Sequence, residues 1–161
     1  MGFATHLGPW LLGTVKDTTG TTAGTIRNTG TTLVSQSGPV TVSNTTAVQL
    51  VVIPAGSQII NIVADVTTAF AGTTGNTITV QTAAGVSLAT FGSASTTPLA
   101  LGRQTTVFTG ANVATILNVG STDLILQVIY ACAGTASGGA ATISVQYAVK
   151  NSDGTSFPAS A

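Results

Sequence analysis

The stretch Ile143-Ser144-Val145-Gln146-Tyr147-Ala148-Val149-Lys150 alternates at every position. Ile143, Val145, Tyr147 and Val149 fall on one side of an extended chain, and Ser144, Gln146, Ala148 and Lys150 on the other. A period of two is the mark of a strand with one apolar and one wet face. Upstream, Leu124, Leu126, Val128 and Tyr130 alternate with Ile125, Gln127 and Ile129, so both sets are mostly apolar. That pattern predicts a strand buried on both faces, under a second layer or against another subunit.

Working outward, Val51-Val52-Ile53 runs into Pro54-Ala55-Gly56, a turn in which proline fixes φ and glycine is free to take a positive one. Strands are predicted at 39–43, 47–53, 58–68, 77–82, 86–91, 104–108, 112–119, 123–133 and 141–150, with Thr/Ala/Gly loops at 68–76 and 92–97. Thr, Val and Ile are abundant, 19 glycines punctuate them, and glutamate is absent. Such a composition favours strand over helix. The expected fold class is all-β, an antiparallel two-sheet sandwich and most plausibly a jelly roll, with a plain barrel or an immunoglobulin-like sandwich as alternatives.

Residues 1–38 differ from the rest. Gly13-Thr14-Val15-Lys16-Asp17-Thr18 returns as Gly24-Thr25-Ile26-Arg27-Asn28-Thr29, each unit placing a β-branched residue beside a cation and a turn former. This reads either as an edge hairpin or as an extended N-terminal arm lying on a neighbour. The apolar opening of Phe3, Leu7, Trp10, Leu11 and Leu12, which holds the one tryptophan of the chain, tilts the reading towards the arm. The same residues could instead cap the chain's own core. The organisation expected is an arm or hairpin at 1–38, a sandwich at 39–150 and a polar tail at 151–161.

Charged residues make up 5% of the 161, with four cations balancing four aspartates. An ordinary soluble protein carries roughly 25%. Four scattered cations cannot form the basic stripe that phosphate neutralisation needs, so nucleic acid is not an expected partner. One cysteine, Cys132, and one histidine, His6, cannot supply a zinc site or a disulfide framework, and no cofactor is expected. The most hydrophobic window, Ala47 to Val66, is broken by Gln49, Pro54, Gly56, Gln58, Asn61 and Asp65. It reads as two strands and a turn, and neither a membrane span nor a secretory leader is expected.

Acid–base catalysis needs ionisable groups brought together, and no phosphate loop, nucleophile elbow or metalloprotease pattern is present. Asp65 shares a strand face with Asn61 and Thr67, which suits a solvated surface. Asp123 precedes a strand, and Cys132 reads as a small buried apolar residue. Arg103 lies between strands, placed to pair with an aspartate of its own domain or with a carboxylate of a neighbour. An enzyme is the weakest reading.

The segment Val51-Val52-Ile53-Pro54-Ala55-Gly56-Ser57-Gln58-Ile59-Ile60, followed by Val66-Thr67-Thr68-Ala69-Phe70, resembles a pattern of the small β-sandwich virion proteins of tailed bacteriophages. There an aliphatic-Pro-Ala-Gly turn opens a strand and a Thr-Ala-Phe segment ends it. Leu126 to Tyr130 with Ala141 to Tyr147 resembles their final hairpin. Together these segments cover about half of the chain. The resemblance implies a capsid decoration, or cement, protein on the capsid surface of the virion. Its implied partners are the major capsid protein and copies of itself, as a homo-oligomer with a trimer favoured. Phe3, Leu7, Trp10, Leu11, Leu12, Arg27 and Arg103 are the candidate partner-anchoring residues. The alternatives are a glycan- or receptor-binding sandwich and another tail or neck component.

Overall fold

The computed structural model describes residues 33–72, 75–93, 99–106, 108 and 112–149. Eight strands build two four-stranded sheets. In chain order they are β1 (Leu33–Thr41), β2 (Val48–Ile53), β3 (Gln58–Thr68), β5 (Asn76–Thr82), β6 (Ser87–Ser93), β7 (Gly102–Thr105), β8 (Leu124–Cys132) and β10 (Ala140–Ala148). Two short strands, β4 (Ala71–Gly72) and β9 (Ala136–Ser137), pair with each other across two loops. Among the described residues there is one helix, α1 (Val113–Leu117), between β7 and β8.

The first sheet has the order β1-β10-β3-β7 and the second β2-β8-β5-β6, with every neighbouring pair antiparallel. In sequence terms the first of the eight strands pairs with the last, the second with the seventh, the third with the sixth and the fourth with the fifth. That is one long antiparallel ribbon rolled into two layers, the jelly-roll wrapping. The expected all-β sandwich is the observed one.

Alternation explains which residues meet between the layers. Ile143, Val145 and Tyr147 of β10 and Ile59, Ile62, Ala64 and Val66 of β3 face Ile78 and Val80 of β5, Phe91 of β6, and Leu126, Val128 and Tyr130 of β8 in one buried cluster. Each such aliphatic side chain taken out of water contributes roughly 1.5–3 kcal/mol. Register slips insert one extra residue at Leu50 in β2, Ile60 in β3 and Leu88 in β6. Leu50 thereby leans over the edge strand β1, where a Cβ on Gly38 would lie 2.7 Å from its Cδ1.

Antiparallel wrapping sends the connections to two ends. At the first, the Phe70 amide donates to the Leu99 carbonyl at 3.1 Å, the Tyr130 amide to the Asn44 carbonyl at 2.7 Å, and β4 pairs with β9. At the second, the turn at 54–57, the turn at 83–86 and the connection at 112–123 are knitted together. Gly56 N donates to Gly120 O at 2.7 Å, Val119 N to Ser57 O at 2.9 Å and Ala83 N to Ile125 O at 3.1 Å.

Two sequence expectations need correction. The segment 112–119, read as a strand from its β-branched residues, contains the helix Val113–Leu117. Its apolar residues Val113, Ile116 and Leu117 follow a spacing of three and four, and Ile116 is the one buried. The proposed closing hairpin is no hairpin, because β8 and β10 belong to different sheets and the chain crosses between layers through β9. Within one copy, Leu126, Val128 and Tyr130 of β8 enter the core, whereas Ile125 on the other face is 39% exposed, so no second layer of the described body covers that face and its burial against another subunit stays open. Smaller boundary differences are that β1 begins at Leu33, ahead of the expected 39, and β7 spans 102–105 in place of 104–108.

Candidate interaction surface

Asp65, Arg103 and Asp123 are the charged residues among those described. Asp65 of β3 and Arg103 of β7 are direct cross-strand partners on the outer face of the first sheet. Arg103 Nε donates to Asp65 Oδ1 at 2.8 Å and Nη2 to Oδ2 at 3.1 Å, a two-point fork. The hydrogen bond from Arg103 holds the Asp65 carboxyl below its ordinary 3.8, and the same bond holds the guanidinium charged. Both side chains are open to solvent, so the pair is a weak clamp. Of the two pairings that the sequence allowed Arg103, the one within the domain is formed. Asp123 accepts a hydrogen bond from the Ala55 amide at 2.9 Å and so fixes the turn between β2 and β3.

Chemistry-bearing residues do not gather elsewhere in the described body. No group of three His, Cys, Asp or Glu that could hold a metal ion occurs among the described residues, and no described helix is long and apolar enough to cross a membrane. Cys132 is half-buried, more open than its reading as a small core residue implied, and sits beside the Tyr130 hydroxyl. Tyr130 donates to the Asn76 side-chain oxygen, and burial pushes the phenol up to about 12. Asn76 is fully buried, and its side-chain nitrogen has no hydrogen-bond partner. The Tyr130–Asn76 pair is a polar contact within the core.

What the body does present is uncharged surface. On the outer face of the second sheet, register aligns Gln49, Gln127 and Gln81 in one row across β2, β8 and β5, continued by Ser87 on β6. The next row is Ile129, Thr79 and Thr90, and on the other side Val52 pairs with Ile125. Among the described residues, no charged one lies on this face. Apolar side chains also collect at the second end of the sandwich. Leu33, Ile60, Val86, Leu117 and Ile125 are there, five of the seven large hydrophobics exposed among the described residues; Val48 and Leu101 lie at the first end.

Of the seven anchoring candidates, Phe3, Leu7, Trp10, Leu11, Leu12 and Arg27 lie outside the described residues. Arg103 stands alone on the first sheet's outer face with Asp65. The glutamine row was missed as a surface, although its signal was present: Gln127 interrupts Ile125 and Ile129 with a polar group that an enclosed face would not hold unpaired.

No protein-family model matches the chain, and no curated protein sequence matches it. Among solved structures, a chain of the acidic stable capsid of Helicobacter pylori bacteriophage KHP30 is similar at a TM-score of 0.49 and 11% identity, over 73% of this chain and 87% of that one. A chain of the cyanophage Pam1 capsid asymmetric unit is similar at a TM-score of 0.48 and 16% identity, over 74% of this chain and 86% of that one.

Proposed function

We propose that this chain is a non-enzymatic structural protein of a phage virion, a capsid decoration protein that binds the shell as an oligomer and stabilises it. The observation that carries the reading is a jelly-roll body whose described surface offers one mutually satisfied ion pair, one hydrogen-bonded aspartate and otherwise uncharged groups. A surface of this kind is poorly suited to a solitary soluble protein, because low charge promotes association, and well suited to lying against repeated copies of a partner. Adhesion then comes from apolar contact and from hydroxyl, amide and backbone hydrogen bonds. The resemblance of the Pro54-Ala55-Gly56 and Thr68-Ala69-Phe70 segments to tailed-phage virion proteins supplies the setting.

Glycan recognition is the less favoured reading. Sugar platforms use exposed aromatic rings, whereas Phe70, Phe91, Tyr130 and Tyr147 are buried and Phe108 is half-buried against the core. The test is the copy number of this chain in gradient-purified particles, by quantitative mass spectrometry against the major shell protein. A ratio of the same order as the shell protein is expected. A ratio many-fold lower moves the chain to a tail or neck position, and its absence from particles overturns the virion reading.

A further inference from the structure

The outer face of the second sheet has a property that restricts what can cover it. Its rows are Val52 and Ile125; Gln49, Gln127, Gln81 and Ser87; then Ile129, Thr79 and Thr90. In a contact between identical surfaces related by a twofold axis, groups near the axis meet their own kind. Two like charges there repel, and two pure donors or two pure acceptors leave each other unsatisfied. Carboxamides and hydroxyls each carry a donor and an acceptor, so a row of glutamines with flanking threonines pairs with its own rotated copy. The isoleucines on either side of the row meet apolar neighbours in the same arrangement.

Electrostatics narrows the partner further. A typical protein surface is rich in Lys, Arg, Asp and Glu, and pressing it onto this face would strip water from those charges with no counter-charge opposite. The same face of another copy brings no described charge and, unlike the apolar second end of the sandwich, offers a matching row of carboxamides and hydroxyls. The ion pair Asp65–Arg103 sits on the opposite layer of the sandwich and is left undisturbed.

We propose that the outer face of the β2-β8-β5-β6 sheet is a twofold interface between two copies of this chain, centred on Gln127. The proposal rests on the virion reading only for the expectation that copies meet on a common surface. A contact of this kind closes as a pair, so any threefold arrangement needs a second, different surface.

The test is sedimentation velocity of the full chain from about 1 to about 100 μM, spanning the range where a modest interface is half-occupied. The wild type is expected to shift with concentration to twice the 15.8 kDa chain mass. Gln127→Glu places like charges across the axis and should weaken pairing at least tenfold at neutral pH, with pairing restored near pH 4 as the new carboxyl protonates, at about its ordinary pKa. Thr90→Lys, at an exposed position of the same face, should also weaken pairing. Gln146→Glu, on the other sheet's outer face, should leave it unchanged, and circular dichroism confirms the fold of each variant. A wild type that stays monomeric overturns the interface, as does association that Gln127→Glu and Thr90→Lys leave intact or that Gln146→Glu weakens equally. The two readings separate cleanly: a monomer found in particles at shell-like copy number defeats the interface alone, and a pair absent from particles defeats the virion role alone.

Discussion

Gly139 lies flat against the ring of Phe70: a Cβ added at position 139 would stand 2.3 Å from Phe70 Cδ1 and 2.6 Å from Cγ. The contact joins the loop after β9 to the residue that precedes β4. Phe70 in turn packs on Tyr130, with ring centroids 5.1 Å apart. The glycine is therefore part of the wall that closes one end of the core.

Gly139→Ala is expected to be strongly destabilising, by about 2–4 kcal/mol, because Phe70 is fully buried and cannot retreat and because φ of 137° is unfavourable for any side chain. Gly138→Ala is the matched comparison. It also has a positive φ, of 66°, but its Cβ would meet nothing, so the cost should be only the backbone penalty of about 1 kcal/mol. Urea denaturation of the two variants measures the difference. Equal costs would show that the contact with Phe70 contributes nothing.

Tyr130→Phe deletes the hydroxyl that donates to Asn76 and leaves a buried carboxamide without its oxygen's partner as well as its nitrogen's. A loss of about 1–3 kcal/mol is expected. Adding Asn76→Leu removes the orphaned amide and should recover part of that loss, a non-additivity that a double-mutant cycle reads directly. The same burial predicts alkaline lability. A phenol whose pKa rises from 10.0 unfolded to about 12 folded gives stability that is complete below the unfolded value and lost as pH climbs towards the folded one. Denaturation midpoints should fall between those two pH values, and less steeply in Tyr130→Phe.

Much of this architecture could be read in the amino-acid pattern. The Pro54-Ala55-Gly56 turn located the start of Gln58–Thr68 to the residue, and alternation placed β8 and β10 within two positions, because one buried face imposes a period of two, whereas β1 begins six residues ahead of its expected start. Layer assignment was not legible. Val48–Ile53 and Gln58–Thr68 are joined by a four-residue turn yet lie in different sheets, and local pattern does not encode which layer a strand joins. The five-residue helix escaped because Val113, Thr115 and Ile116 favour strands, and its helical spacing is short enough to be read either way. Gln127 signals an open face on its own strand, but the glutamine row as a whole could not be assembled from sequence. Gln49, Gln81 and Gln127 become neighbours only through the register of three strands that are distant in the chain.

The Asp65–Arg103 fork sits in solvent, and its removal should have little effect on the fold. Arg103→Ala is expected to leave the urea midpoint at neutral pH unchanged within error. The sign of its pH dependence follows from the lowered Asp65 pKa. Whatever stability the pair gives is present above the unfolded value of 3.8 and lost as pH falls through the lower folded value, where wild type and variant should converge. A marked loss of particle attachment in Arg103→Ala, with stability intact, would instead identify the guanidinium as a partner contact.

Salt separates an adhesive of this kind from an electrostatic one. Contacts built on opposed charges weaken steeply as the Debye length falls from about 10 Å at 0.1 M to about 3 Å at 1 M ionic strength. The described body has one solvent-screened ion pair and one aspartate committed to a backbone amide, so it has little charge with which to attract a partner. Apolar burial and neutral hydrogen bonds are insensitive to screening, and strongly hydrated salts such as sulfate reinforce burial. Retention on purified particles should therefore be unchanged between about 0.1 and about 1 M sodium chloride and should increase in ammonium sulfate. Co-sedimentation with particles across that series measures it. Release by sodium chloride alone would mean that charges outside the described body dominate attachment, and the uncharged faces would then not be the adhesive surface.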